Sequence, residues 1–466
     1  VPSLAVLPFK DLSQAGDQQY FCEGMADEII TALSGIAGLK VASRSSAARC
    51  LEQGLDLAEI GQRLNVQHVV EGSVRKAGNR ARITAQLTSV TDTHQLWTER
   101  YDRDLDDVFA VQDDIARTIA ERLRVKLAAD DESPLVRKAT SNPEAYALCL
   151  KGRYHWARRN RWHLRAALEC FEKAVALDPD YALPYCGLAD CYTVSAIYGV
   201  RPGTELGPKA LAAAERALAL DPALADAHHS HGSALQWIRG DFAAAERNYR
   251  AALALNPSLA ISHAYLGLLY AVLGRFDEGR QAALQAVALE SDSAVIAYLA
   301  GGASYWMGDY ASAERFSDQA LELECEAAFP LWIRALHLMA RGRLDEAIVA
   351  AERGVLVGER QPLLLGVLGA VYGLARRTTA AEAILSELTA RAAQEYIAPL
   401  WMADVCVGLG RTQEALDLLD EAHDHGNAFI HRASVAAEYD SLRDEPRFRA
   451  LLARMGLSDV ARTRSR

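Results

Sequence analysis

The stretch GDFAAAERNYRAALALNP, residues 240–257, decides the fold of most of this chain. Its apolar residues recur with the 3.6-residue period of an amphipathic helix, and Asn256-Pro257 ends that helix because proline cannot continue it. The turn that precedes the helix returns every 34 residues, which predicts a stack of repeated helix pairs. These turns begin at Gly240, Gly274, Gly308, Gly342, Arg376 and Gly410.

A small residue stands five positions after each turn, where two packed helices can approach closely only if no bulky side chain intervenes. These residues are Ala245, Gly279, Ala313, Ala347, Ala381 and Ala415. Together with the prolines that close several helices, and with Leu266-Gly267 followed by Tyr270, the pattern resembles the tetratricopeptide repeat. The resemblance implies about eight helix–turn–helix units over residues 143–426, stacked into an all-α superhelix with a concave inner surface.

The last unit of such an array needs a cap, because its apolar face has no following unit to cover it. Four apolar residues near the C-terminus are spaced to supply that cover: Phe448, Leu451, Leu452 and Met455. We therefore predict a C-terminal capping element over residues 427–457, followed by a frayed, arginine-rich tail over residues 458–466.

Residues 1–130 show a succession of strand and helix patterns instead of a repeat. An apolar run over residues 3–9 predicts a buried strand, and residues 80–90 alternate between apolar and polar, as in a strand with one packed face. Helices are predicted over residues 20–37, 57–64 and 105–127, and further strands over residues 39–42, 69–76 and 94–101. The order β-α-β-α-β-β-β-α predicts an α/β domain with a mixed sheet, joined to the repeats by a polar linker over residues 131–142.

Four separated motifs in this first domain have a familiar wording. They are Ala5-Val6-Leu7-Pro8-Phe9, Tyr20-Phe21-Cys22-Glu23-Gly24-Met25, Val70-Glu71-Gly72-Ser73-Val74-Arg75 and Trp97-Thr98-Glu99-Arg100-Tyr101-Asp102-Arg103. Together they closely resemble the TolB amino-terminal-like domain over nearly all of residues 1–128. In bacterial proteins the resemblance implies a module that follows a signalling domain, such as a class III nucleotide cyclase, a winged-helix DNA-binding domain or a protein kinase, and that precedes repeats.

Composition narrows the classes of function. The 466 residues are 50% hydrophobic and 24% charged, with a formal net charge of −11. This predicts a folded chain and argues against direct binding of nucleic acid, which favours a strong basic excess. The eight cysteines show no metal-like spacing, so we interpret them as buried thiols, with a Cys22–Cys50 bridge left open.

The sequence carries no motif of a known catalytic or cofactor site: it has no glycine-rich phosphate loop, no nucleophile elbow and no metalloprotease histidine pair. The nearest approach to a metal site is His228, His229 and His231 with His263 in the following unit. Zinc would need a further ligand and oriented partners, so we interpret these residues as ordinary helix histidines. We predict that the chain contains no catalytic domain, no cofactor and no metal.

The first helices of the repeats carry large apolar side chains at positions that face the concave surface. Seven are assigned to a partner-binding groove: Trp237, Tyr298, Tyr305, Trp306, Phe329, Trp332 and Met339. Aromatic anchors of this kind bind a helical or extended apolar segment of a partner. Trp306→Ala and Trp332→Ala are accordingly expected to weaken partner capture without unfolding the chain.

These observations predict a non-catalytic protein-interaction, sensory or scaffolding region of a bacterial signalling or regulatory protein. Three alternatives stay open. The rings could pack within the chain, the repeats could serve homo-oligomerisation, or the chain could be the C-terminal part of a nucleotide cyclase whose catalytic domain lies upstream of residue 1.

The cellular compartment follows only from the resemblance. Proteins of this architecture often place a membrane helix just before the TolB-like module, which favours the periplasmic side, whereas unpaired cysteines equally allow the cytoplasm. The chain enters an apolar strand almost directly after Val1, so we expect it to be a piece of a longer protein.

Overall fold

The computed structural model describes residues 2–14, 16–36, 38–77, 80–104, 107–123, 135–136, 138–158 and 161–458. Contacts within the chain divide it into two compact units. The first comprises residues 1–188 and 216–222, and the second comprises residues 189–215 and 223–466. This division differs from the domain boundaries expected from the sequence, which stay a prediction.

The described part of the first unit contains a mixed β-sheet. Its strands are β1 (Ser3–Val6), β2 (Lys10–Asp11), β3 (Lys40–Val41), β4 (His68–Ala77), β5 (Arg80–Ser89) and β6 (Gln95–Asp104). β1 runs parallel to its neighbours β3 and β4, and β2 also pairs with β4 in parallel. β4, β5 and β6 follow as antiparallel neighbours. The mixed character expected from the sequence is therefore present.

Four helices accompany this sheet: α1 (Gln19–Ser34), α2 (Arg44–Glu52), α3 (Leu57–Leu64) and α4 (Val108–Arg122). The sequence-based order lacked two elements, β2 and α2. α2 is a short helix rich in serine, alanine and arginine, so its apolar period is weak. It begins because the Ser43 hydroxyl accepts a hydrogen bond from the Ser46 amide, and it buries Ala47 and Cys50.

The alternation predicted for β5 is present in the structure. Ala81, Ile83, Ala85 and Leu87 are buried, and the residues between them are more exposed. On the neighbouring strand a Cβ at Gly72 would lie 2.5 Å from the Phe9 ring and 2.6 Å from the Thr84 carbonyl oxygen. Glycine at this position is therefore required by close packing.

Helix pairs make up the remainder of the fold. In order they are α5 (Pro143–Trp156) with α6 (Arg161–Leu177), α7 (Ala182–Ile197) with α8 (Gly203–Leu220), α9 (Ala225–Ala234) with α10 (Phe242–Leu255), α11 (Ala260–Val272) with α12 (Phe276–Leu289), α13 (Ala294–Trp306) with α14 (Tyr310–Leu323), α15 (Ala328–Ala340) with α16 (Leu344–Val357), α17 (Pro362–Leu374) with α18 (Thr378–Ala392), and α19 (Pro399–Gly408) with α20 (Thr412–Asp424). α9 continues as a π-helical turn over Leu235–Arg239. These pairs are of the tetratricopeptide type that the spacing predicts.

The 34-residue ladder of turns has a conformational cause. Gly240, Gly274, Gly308, Gly342 and Gly410 all have φ between 65° and 76°, in the left-handed region that lacks a steric penalty only for glycine. Arg376 takes the equivalent place with φ of 58°. The small residues five positions later are all buried, as their packing role requires.

The C-terminal part contains two 3₁₀ turns, Ile430–Ser434 and Ala437–Leu442, and a final helix α21 (Pro446–Arg454). Phe448, Leu451, Leu452 and Met455, which were expected to cap the array, are all buried. The expected frayed tail falls almost wholly on residues that lie outside the described part of the chain.

None of the eight cysteines forms a disulfide, so no Cys22–Cys50 bridge is present. Seven are buried as expected, and Cys325 is exposed. Among the described residues no helix is long and apolar enough to cross a membrane.

Candidate functional site

The seven residues assigned to a partner groove all lie in the second unit. Trp237, Tyr305, Trp306, Trp332 and Met339 are between 0% and 6% exposed, and Tyr298 and Phe329 are partly buried. Most of these side chains are therefore covered by other residues of the chain and are not open to solvent. Their binding to a partner stays a prediction.

These side chains are covered by residues 427–442, which include the two 3₁₀ turns. We call these residues the C-terminal segment. This segment contacts α11, α15 and α19, the first helices of the fourth, sixth and eighth pairs. It therefore runs along the side of the second unit that was expected to receive a partner.

Phe429 is the centre of this contact. Its ring centroid lies 5.7 Å from those of Trp306 and Trp332, 5.8 Å from that of Trp237 and 6.2 Å from that of Trp401. Four of the chain's seven tryptophans thus surround one phenylalanine. We call these four tryptophans the aromatic face. Tilted ring pairs at such distances add stabilisation beyond the area they bury.

Arg432, in the same segment, forms a buried ion-pair network. Its guanidinium donates to both carboxylate oxygens of Asp404, at 2.7 Å and 2.6 Å, and also to Glu438. The Arg432 and Asp404 side chains are each only 1% exposed. Burial raises the pKa of Asp404 to about 6, although Arg432 acts to lower it.

Two tyrosines complete the network. The Tyr305 hydroxyl donates to Glu438, and the Tyr439 hydroxyl donates to Asp404. The Tyr305 oxygen also accepts a hydrogen bond of 3.2 Å from the Ala437 amide. These contacts connect the C-terminal segment by charge and hydrogen bonds to α13 and α19, the helices that carry Trp306 and Trp401.

The aromatic face nevertheless has unused hydrogen-bonding capacity. Among the described residues no acceptor lies within reach of the buried indole N–H groups of Trp237, Trp332 and Trp401. A buried donor without an acceptor costs about 1–3 kcal/mol. The C-terminal segment therefore covers the rings and pairs the charges of this surface, but it supplies no acceptor for these three indole N–H groups.

Tyr298 and Phe329 form a second aromatic group at a less buried position. Phe329 stacks on Tyr198 with centroids 4.6 Å apart, and on Tyr298 with centroids 5.8 Å apart. Tyr198 lies in the loop between α7 and α8. These stacked rings remain partly accessible to solvent.

Sequence reasoning missed Trp401, Asp404, Phe429, Arg432 and Glu438. One signal was available: Arg432 and Glu438 are charged residues in an otherwise largely apolar run, and buried charges are kept where they are paired. Asp404, which pairs with Arg432, lies 28 residues before it, so the pairing could not be identified from local sequence.

The histidines considered as metal ligands make ordinary hydrogen bonds. His229 Nδ1 lies 3.0 Å from the Ser262 hydroxyl, His231 Nδ1 lies 3.2 Å from Asn248 Oδ1, and His263 Nε2 lies 3.3 Å from the Pro257 carbonyl oxygen. Within the described part of the chain, no group of three or more histidine, cysteine or acidic side chains is arranged to hold a metal ion.

Comparison with known proteins gives two sequence matches. Residues 1–118 match the family described as "HilA/YgeH-like transcriptional regulator, second domain". The chain is also 36% identical over 241 residues to "Putative adenylate cyclase 3" of Rhizobium meliloti, a match that covers 51% of this chain and 41% of the relative. The matched region thus spans about two fifths of that relative's length.

Solved structures give weaker likenesses. The Pseudomonas aeruginosa protein pilF is 19% identical, over 45% of this chain and 93% of that one, with a TM-score of 0.33. PilW, a type IV pilus biogenesis factor, is 20% identical, over 44% and 94%, with a TM-score of 0.35. TolB from Acinetobacter baumannii is 17% identical, over 26% and 28%, with a TM-score of 0.21. Scores of this size establish no common fold.

Proposed function

We propose that this chain is a non-catalytic protein-interaction region of a bacterial signalling or regulatory protein, and that the aromatic face of its second unit binds a peptide segment. The C-terminal segment occupies that face as an internal ligand. A partner segment with an aromatic residue followed three positions later by arginine would make the contacts of Phe429 and Arg432. Partner binding then proceeds by exchange with the internal segment.

The observation that carries this proposal is the position of Phe429 among four tryptophans, with Arg432 paired to Asp404. Large aromatic rings and arginine are the residue types that dominate the energetics of peptide and protein recognition. The unused indole donors of Trp237, Trp332 and Trp401 support exchange, because an occupant with suitably placed acceptors would gain hydrogen bonds there.

The role in signalling is supported by the protein families that the first unit resembles. Its motifs resemble the TolB amino-terminal-like domain, and its match is to the second domain of a transcriptional-regulator family. A specific observation favours a second candidate, the C-terminal part of a nucleotide cyclase, since the curated relative is named a putative adenylate cyclase. The two candidates agree on a non-catalytic role for these residues and differ in the domain joined to them.

The proposal is tested with a fluorescently labelled peptide of residues 427–442, NAFIHRASVAAEYDSL, added to the full chain. In the wild-type chain the internal segment competes with the peptide. Phe429→Leu in the chain weakens that competitor while leaving the aromatic face intact. We expect the variant to bind the peptide about tenfold more tightly than the wild type by fluorescence anisotropy.

Phe316→Leu is the matched control, because Phe316 is equally buried in the second unit and lies on α14, outside the aromatic face. A peptide with alanine in place of its phenylalanine should not bind either chain. If the Phe429→Leu and Phe316→Leu chains bind the labelled peptide equally, the segment is a permanent part of the core and the exchange proposal is wrong.

A further inference from the structure

The first helix pair, α5 and α6, contains the most basic stretch of an acidic chain. Residues 145–168 include six lysines or arginines and no aspartate or glutamate, although the whole chain has a net charge of −11. The six are Lys151, Arg153, Arg158, Arg159, Arg161 and Arg165. Four aromatic or imidazole side chains lie among them between residues 154 and 162: Tyr154, His155, Trp156 and Trp162.

Trp162 is the most exposed tryptophan that the structure shows. It is the second residue of α6, and 69% of its surface is accessible to solvent. An indole left in water forgoes the hydrophobic stabilisation that its burial would give. No fold requirement places it there, because the buried face of α6 is formed by Leu164, Ala167 and Phe171.

Two contacts with Tyr154 restrain the side chain of Arg158. Its guanidinium lies 3.6 Å from the centroid of the Tyr154 ring and donates a hydrogen bond of 2.9 Å to the Tyr154 carbonyl oxygen. These two contacts limit its rotamer freedom, so less entropy is lost when it binds a carboxylate. Lys151 precedes Tyr154 by three residues on the same face of α5 and is also exposed, and Arg158 follows the end of that helix.

Two of the six basic side chains in this stretch are already paired with carboxylates. Arg153 pairs with Glu28 at 3.4 Å, and Arg165 pairs with Glu169 at 3.2 Å. Lys151 and Arg158 are exposed, and within the described part of the chain neither forms an ion pair with a carboxylate. They form, with Trp162, what we call the basic turn.

A histidine pair joins the two sides of the basic turn. His155 Nδ1 on α5 lies 2.8 Å from His163 Nδ1 on α6, a distance at which one ring nitrogen donates and the other accepts. Burial lowers the pKa of both imidazoles, and their proximity lowers that of His155 further. The pair is therefore neutral at pH 7 and fixes the start of α6, including Trp162, against the end of α5.

We propose that the basic turn, Lys151, Arg158 and Trp162, is a second interaction surface that binds an acidic, apolar-containing segment of a partner protein. Carboxylates would pair with the two cations, and an apolar side chain would cover the exposed indole. Tryptophan and arginine are the residues most enriched at the energetic centres of protein interfaces. A nucleic-acid backbone would extend beyond this turn over a chain whose net charge is −11, whereas a short acidic peptide can be confined to the two cations.

The test uses the full chain and a labelled peptide of alternating glutamate and leucine. We expect the peptide to bind by fluorescence anisotropy, with an affinity that falls as salt is raised. The double variant Lys151→Glu/Arg158→Glu should lower the affinity at least about tenfold, and Trp162→Ala should lower it by a similar factor. Circular dichroism should show unchanged helix content in both variants, since the three side chains are exposed.

Arg247→Glu is the matched control, because Arg247 is an exposed arginine on α10 of the second unit. It should leave peptide affinity unchanged. The proposal is overturned if the acidic peptide does not bind, if Trp162→Ala has no effect, or if Arg247→Glu weakens binding as much as the double variant. It is also overturned if a single-stranded oligonucleotide of equal charge binds more tightly than the peptide, which would make the surface one for nucleic acid.

Discussion

Tryptophan occurs in two contrasting settings in this protein. Around Phe429 four indoles are buried against the chain's own C-terminal segment, and Arg432 beside them is paired with Asp404 and Glu438. At the basic turn Trp162 is exposed, and so is Arg158. Both settings combine tryptophan with arginine, and both lie on helix pairs of the same repeat type. Residue composition alone therefore does not distinguish an internal contact from an external surface.

The largest effect that would separate the two settings is expected from Arg432→Ala. The substitution leaves Asp404 and Glu438 buried without their counter-charge, so the free energy of unfolding should fall by about 4 kcal/mol. Urea denaturation followed by circular dichroism measures it. Arg275→Ala is the matched control, because Arg275 also bridges two carboxylates, Glu246 and Glu278, at a partly exposed site. Its loss should cost less than about 1 kcal/mol, and equal losses for the two variants would contradict the buried network.

Trp306→Ala and Trp162→Ala compare the same substitution in the two settings. Trp306 is 2% exposed, so its removal should leave a cavity and lower the unfolding free energy by about 3 kcal/mol. Trp162→Ala should change it by less than about 0.5 kcal/mol. Thermal or urea unfolding of both proteins provides the measurement, and a comparable loss at Trp162 would show that this residue is part of the core.

A smaller effect, spread over two pH units, is expected from Asp404. Its folded pKa of about 6 exceeds the ordinary value of 3.8, so the folded state holds a proton that the unfolded state releases between these values. The contribution of Asp404 to stability is therefore greatest below about pH 4 and is lost as the pH rises to about 6, by up to about 3 kcal/mol. Asp404→Asn should remove this dependence. Unfolding measured from pH 4 to 7 for both proteins provides the comparison, and identical pH slopes would refute the assignment.

The repeat region illustrates how far local sequence reaches. Small residues such as Ala245 and Gly279, and turn glycines such as Gly240, predict helix pairs because each constraint acts between neighbours in the chain. The alternation of β5 predicts its packed face for the same reason. By contrast α2, with its weak apolar period, and the two-residue strand β2 left no pattern strong enough to predict.

The aromatic face could be predicted only in part. Trp237, Trp306 and Trp332 are assigned to one side of the repeats by helical position, and the structure brings them together. The sequence did not predict which segment of the chain covers the aromatic face. Phe429 lies 192 residues after Trp237 in the chain, and no local pattern indicates that so distant a segment returns to that surface.

The sequence by itself determined the repeated helix pairs and the mixed character of the sheet, because periodicity and steric limits act over a few residues. Only the tertiary structure decided which aromatic residues of the repeats are open to solvent. Burial depends on whether distant parts of the chain meet, and here the segment carrying Phe429 and Arg432 covers one set of tryptophans while Trp162 stays exposed. The free energy gained by burying rings and pairing charges across that distance belongs to the folded chain as a whole.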